Sequence, residues 1–151
     1  MGPSQSTPRS DDTEGQEFVL PPYSREVTTS KPEAKRWVED GFVWCYGFNH
    51  SEGERCFEKA IQIDPECPLA YWGLAFALGP NYNKPWKAFD RNDLKHTILK
   101  GFEAFKKAES LASKASPVER ALANAIRHRY PKDENDTNNA KAWNHAYAEA
   151  M

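Results

Sequence analysis

The sequence predicts an all-α fold of antiparallel helical hairpins stacked as a right-handed solenoid, and three observations carry that expectation. Apolar residues recur at helical spacing in one segment after another. No alternating apolar and polar run longer than a few residues interrupts them. The chain also resembles itself at a fixed displacement, as repeat proteins do.

Residues 1 to about 33 are rich in Ser, Thr, Pro, Gly and Asp, so a flexible, disordered arm is expected there. The island Phe18-Val19-Leu20-Pro21-Pro22-Tyr23 breaks that composition. Its two prolines favour an extended segment able to pack on the folded body. The helical body is expected over 34–151.

A first helix runs from Ala34 to Tyr46, with Trp37, Gly41, Trp44 and Cys45 at helical spacing and Val38 and Phe42 beside them. Gly47-Phe48-Asn49-His50 reads as a turn. Ser51 and Glu54 form a capping-box signature for a second helix, which stops before Asp64-Pro65. Pro68 suits the first turn of a third helix, Leu69 to Leu78. Gly79 to Trp86 holds two prolines and a glycine and cannot be regular helix. Asp90 is a cap for a fourth helix reaching about Ser113, and Ser116-Pro117-Val118-Glu119 opens a fifth. Pro131 to Asn138 reads as polar loop, and a last helix spans about Asn139 to Met151.

Trp37, Gly41 and Trp44 recur as Tyr71, Ala75 and Leu78, each displaced by 34 residues. Gly53-x3-Phe57-x2-Ala60 recurs as Gly101-x3-Phe105-x2-Ala108, displaced by 48, and Leu74, Ala75 and Leu78 recur as Leu122, Ala123 and Ile126 at the same distance. One unit therefore carries 14 extra residues, placed within an insertion at 79–92. Small residues at these positions let helix backbones approach, and aromatics fill the next gap.

Trp37 through Pro65 resembles the tetratricopeptide signature W-x2-L-G-x2-Y…A-x3-F…P, departing from it at Asp40 and Gly53. More narrowly, Tyr23-Ser24-Arg25, Gly47-Phe48-Asn49-His50, Ala70-Tyr71-Trp72-Gly73, Gly79 to Trp86, Ser116 to Ala121 and Trp143-Asn144 resemble a group of microbial and fungal tetratricopeptide-domain proteins. That resemblance covers about residues 23–151 and implies a solenoid of about three hairpins here, with further repeats on the C-terminal side.

A net charge of -2 gives no basic patch for nucleic acid or a membrane surface. There is no secretory signal and no apolar run of bilayer length, so a cytoplasmic protein is expected. The three cysteines, Cys45, Cys56 and Cys67, form no CxxC pair and are expected as buried reduced thiols. No phosphate-cradling glycine motif and no HExxH spacing occurs, so no cofactor, metal or catalytic residue is assigned.

A protein- or peptide-binding scaffold is the expected function. The first helices of the hairpins line the concave face. They present Phe42, then Trp72 and Phe76, then Arg120, Asn124 and Arg127. An apolar segment followed by acidic residues complements that row. The apolar stripe of the last helix, with Trp143, Ala146, Tyr147, Ala150 and Met151, suggests self-association. The alternative is an enzyme, metal-dependent or not, completed by C-terminal repeats outside this chain. Its site would use Asn49, His50, Asn81, Tyr82, Asn83 and Trp86. Tyr82 and Trp86 are both expected to fold back on the hairpins, since leaving either ring in water is costly.

Overall fold

The computed structural model describes residues 19–130 and 139–151. The arm before Val19, including Phe18, and the Pro131–Asn138 loop lie outside the described residues. Among the described residues there are six α-helices and no strand: α1 Pro32–Tyr46, α2 His50–Ile63, α3 Pro68–Leu78, α4 Arg91–Ser110, α5 Pro117–Ile126 and α6 Ala140–Ala150.

Local chemistry sets most of these limits. Pro32, Pro68 and Pro117 each stand in a first turn, where the missing N–H costs nothing. The Ser116 side chain accepts the Glu119 N–H at 3.3 Å, and the Glu119 carboxylate accepts the Ser116 N–H at 2.8 Å, the expected capping box. Asp90 accepts from the N–H groups of Asn92 and Asp93 to start α4. That helix ends earlier than expected, at Ser110, whose hydroxyl bonds back to the Lys107 carbonyl, and a 3-10 turn follows over Ala112–Lys114.

The box expected at Ser51 is not used. Asn49 is the cap instead, its side-chain oxygen accepting the Glu52 N–H at 3.3 Å, so α2 begins at His50. The reason lies one residue earlier. The N–H of Asn49 bonds the Trp44 carbonyl at 2.9 Å and that of Phe48 bonds Cys45 at 3.0 Å. These are the bonds of a Schellman ending, and they put Phe48 at φ 61 in the left-handed position usually held by glycine. Gly47 stands one residue too early to fill it. Because Phe48 is 62% exposed, its ring returns little for the strain. Phe48→Gly is expected to raise stability by about 1 kcal/mol. Thermal melting checks this, and a lower midpoint contradicts it.

Consecutive helices are neighbours: α1 with α2, α2 with α3, α3 with α4. Gly53, early in α2, faces Cys45, late in α1, so these two run antiparallel. α3 also touches α1 and α5, which places the odd-numbered helices beside one another. On the other side Lys100 of α4 pairs with Glu54 at 2.5 Å and Glu58 at 2.6 Å of α2.

The core is organised around Phe57. Its ring is fully buried, with Gly41 of α1 on one side and Gly73 of α3 on the other. Phe42 meets it edge-on at 5.4 Å. A Cβ on Gly41 would come within 2.8 Å of the ring. Tyr130 holds the analogous place further along: its ring lies against Gly101, stacks on Phe105 at 6.5 Å, and its hydroxyl donates to the Ala75 carbonyl. The glycines thus do what the repeat implied, although neither Gly73 nor Tyr130 was singled out by it.

The insertion divides its aromatics. Trp86 is buried against Phe89 at 5.5 Å, Trp143 at 5.8 Å and Tyr130 at 6.3 Å, while Tyr82 is 92% exposed at the tip of a turn. The expectation of two folded-back rings holds only for Trp86. Asn81 closes the tight turn, accepting from the N–H groups of Asn83 at 2.9 Å and Lys84 at 3.1 Å, which leaves Tyr82 pointing outward. In α6, Trp143 and Tyr147 pack on the body and only the end of the expected stripe, Ala150 and Met151, is exposed.

Candidate binding face

Helices α1 and α3 bring Phe42, Trp72 and Phe76 together, as a stack. Tyr46 lies on Phe42 at 6.1 Å, Phe42 on Trp72 at 5.9 Å, and Trp72 on Phe76 at 5.2 Å with an interplanar angle of 11°. Spacing of four residues within α1 (Phe42, Tyr46) and within α3 (Trp72, Phe76) puts each pair on one helix face. Offset rings at these separations attract beyond their burial.

Cations meet this ladder, but not the expected ones. The Arg25 guanidinium lies 4.8 Å from the Phe42 ring centre, and that of Arg129 lies 5.4 Å from Phe76 and 4.8 Å from Tyr147. Arg120, Asn124 and Arg127 stand at exposed positions of α5 and the 3-10 turn after it. Arg129 escaped the sequence reading because its partners are remote: it donates to the carbonyl of Pro80, 49 residues away.

The face is not an open groove. Phe42 and Trp72 are buried, and residues 23–31, expected to be flexible, form a strap that reaches α1, the end of α2 and α5. The Ser24 hydroxyl and Arg25 N–H donate to Glu39 of α1 at 3.1 and 3.0 Å. The Thr28 N–H donates to Glu119 of α5 at 2.8 Å and its hydroxyl reaches the second carboxylate oxygen. The Thr29 hydroxyl donates to Asp64, and the Lys31 ammonium reaches the Ile63 carbonyl at 2.9 Å. Tyr23 packs against Phe42 at 6.3 Å and Tyr46 at 5.9 Å. Composition suggested disorder because it counts apolar area, whereas this segment is held by carboxylates placed by other helices.

Leu20, Pro21, Pro22 and Tyr23, with Val43, Trp44, Tyr46 and Gly47, line an apolar cleft of about 490 Å³ beside the strap. Val19 is 90% exposed and Leu20 is half-buried in the cleft, while Tyr23 and Arg25 meet the Phe42 end of the ladder.

His50 is half-buried at the far end, 6.4 Å from Phe76. Burial and the nearby Arg129 charge pull its pKa below the ordinary 6.5, against a raising bond with the Phe48 backbone. Asn49 is spent on the α2 cap and Asn81 on its own turn; Asn83 is exposed. Because the folded pKa of His50 is depressed, the unfolded chain takes up the proton first as pH falls. Stability contributed by the neutral imidazole is complete above pH 6.5 and declines below it. His50→Gln should therefore flatten the fall in melting midpoint between about pH 7 and about pH 5. An unchanged slope in that variant contradicts the assignment.

The three thiols are free and buried, as expected; burial pushes Cys45 up to about 12 and Cys67 to about 11. Among the described residues, no group of three or more His, Cys, Asp or Glu gathers as a metal site, and no helix is long and apolar enough to cross a membrane.

Four buried side-chain donors among the described residues have no partner: the Nε1 groups of Trp72 and Trp86, Nε of Arg25 and Nη1 of Arg129. Three of these belong to the ladder or the cations on it. No family model, curated protein or solved structure matches the chain.

Proposed function

We propose that the chain is a tetratricopeptide-type scaffold that holds an extended protein segment along the face made by α1, α3 and α5. The observation that carries this reading is the pairing of unmet donors with the aromatic ladder. Trp72 Nε1 and Arg129 Nη1 flank Phe76 and lack acceptors. A buried donor left unpaired costs about 1–3 kcal/mol, and the carbonyls of an extended backbone are suitable acceptors. Arg120, Asn124 and Arg127 are exposed on α5 and the turn after it, and in this reading they supply charge for a partner's carboxylates.

The test keeps the ring and removes the donor. Trp72→Phe should preserve helix content while weakening partner capture about 3- to 10-fold, the loss of one hydrogen bond. Arg120→Ala with Arg127→Ala should weaken capture and reduce its salt sensitivity. Capture untouched by both changes, in folded protein, rejects this face as the binding surface.

A further inference from the structure

The strap is bound the way a ligand is bound. Its backbone carries no helix or strand of its own and bends at Ser30. It spans three odd-numbered or flanking elements through side chains that lie 14, 35 and 91 residues away along the chain. Its contacts alternate in kind: a ring on the ladder at Tyr23, a cation on Phe42 at Arg25, a half-buried apolar side chain at Val27, then hydroxyls at Thr28 and Thr29.

What it sits on is chemically consistent. Three carboxylates receive it: Glu39 on α1, Asp64 at the end of α2 and Glu119 on α5. Glu119 is only 3% exposed, and both of its oxygens are engaged by Thr28. A buried carboxylate needs donors around it, and here strap atoms supply much of that need. Removing the strap would uncover an aromatic floor edged by acceptors. That surface favours a segment presenting donors and a cation, where the sequence led to an apolar segment here and to acidic residues further along, at Arg120, Asn124 and Arg127.

We propose that the strap Tyr23–Lys31 is a resident pseudoligand, and that the partner of this part of the face is an extended segment with the same order of groups: an aromatic residue, a cation two residues on, then adjacent hydroxyls. The inference rests on the binding reading above and specifies its ligand. It makes partner binding a competition. A face that is open only about 1–10% of the time weakens apparent affinity about 100- to 10-fold. Loosening the strap removes that penalty without adding a contact. The covering of Phe42 is then a reversible state of the binding face, and the apolar cleft at Leu20–Tyr23 marks where the displaced segment starts.

The probe is a fluorescent synthetic peptide of residues 19–31, titrated by anisotropy into the full chain. Two loosened full-length variants are compared with the unmodified chain: Thr28→Ala with Thr29→Ala, and Tyr23→Ala with Arg25→Ala. Their positions are in the strap, so helix content by circular dichroism should be unchanged. Both variants should bind the peptide about tenfold or more tightly than the unmodified chain does. A peptide carrying the Thr28→Ala and Thr29→Ala changes should lose that binding. Trypsin should cut after Arg25 faster in the unmodified chain once peptide is added. Equal affinity for all three proteins, or binding to none of them, overturns the proposal and leaves the strap a structural clasp. The Trp72→Phe capture experiment can still succeed in that event, so the two ideas fail separately.

Discussion

Phe57→Ala is expected to cost about 3–5 kcal/mol and to lower the melting midpoint by about 10 °C. The ring is fully buried between two helices that both give it glycines. Nothing nearby is positioned to fill the space, because the helix backbones at Gly41 and Gly73 already flank it. The complementary change tests the same joint from the other side. Gly73→Ala would ordinarily stabilise a helix by about 1 kcal/mol. Here the new methyl meets the Phe57 ring, so overpacking of about 1–3 kcal/mol should reverse the sign. Denaturant unfolding of both variants measures this. A stabilised Gly73→Ala protein shows that α1, α2 and α3 are not packed as described.

Glu119→Ala should be the second large loss, about 2–4 kcal/mol. The carboxylate closes the α5 capping box and anchors Thr28, so its removal frees the N–H groups of both Ser116 and Thr28. Loss of a cap costs about 0.5–2 kcal/mol, and each stranded buried donor adds to it. The strap should loosen in the same variant, with faster tryptic cleavage after Arg25. Glu119→Gln keeps an acceptor oxygen and should lose less. A variant that melts earlier but keeps its strap protected separates the cap from the latch and contradicts their sharing of one carboxylate.

These two sites mark what the sequence revealed and what it hid. The Phe57 joint was legible in part: Gly53, Phe57 and Ala60 recur as Gly101, Phe105 and Ala108, and Gly41 recurs as Ala75, but Gly73, which also meets the ring, carried no repeat signal. The α5 start was legible because a capping box is contained within four residues. The strap was not legible. Its threonines look like any polar linker until the fold brings Glu119 and Asp64 beside them. Glu119 was recognised as a cap, but one carboxylate has room for a second task that no local pattern announces. Asn49 and Ser51 were both adequate caps, and the left-handed turn at Phe48 decided between them. Arg129 carried no local signal, since only the folded chain places Phe76, Tyr147 and Pro80 around it.

On the proposal above, the strap occupies the binding face and yields it to a ligand. Amide hydrogen exchange tests that most directly, because the N–H groups of Arg25 and Thr28 are bonded to Glu39 and Glu119. In the full chain both amides should exchange slowly for an extended segment. On adding a saturating amount of the unlabelled peptide of residues 19–31, the chain's own Arg25 and Thr28 amides should become fast while the helices stay protected. Fast exchange of both before any peptide is added, or protection that the peptide does not change, would contradict the account.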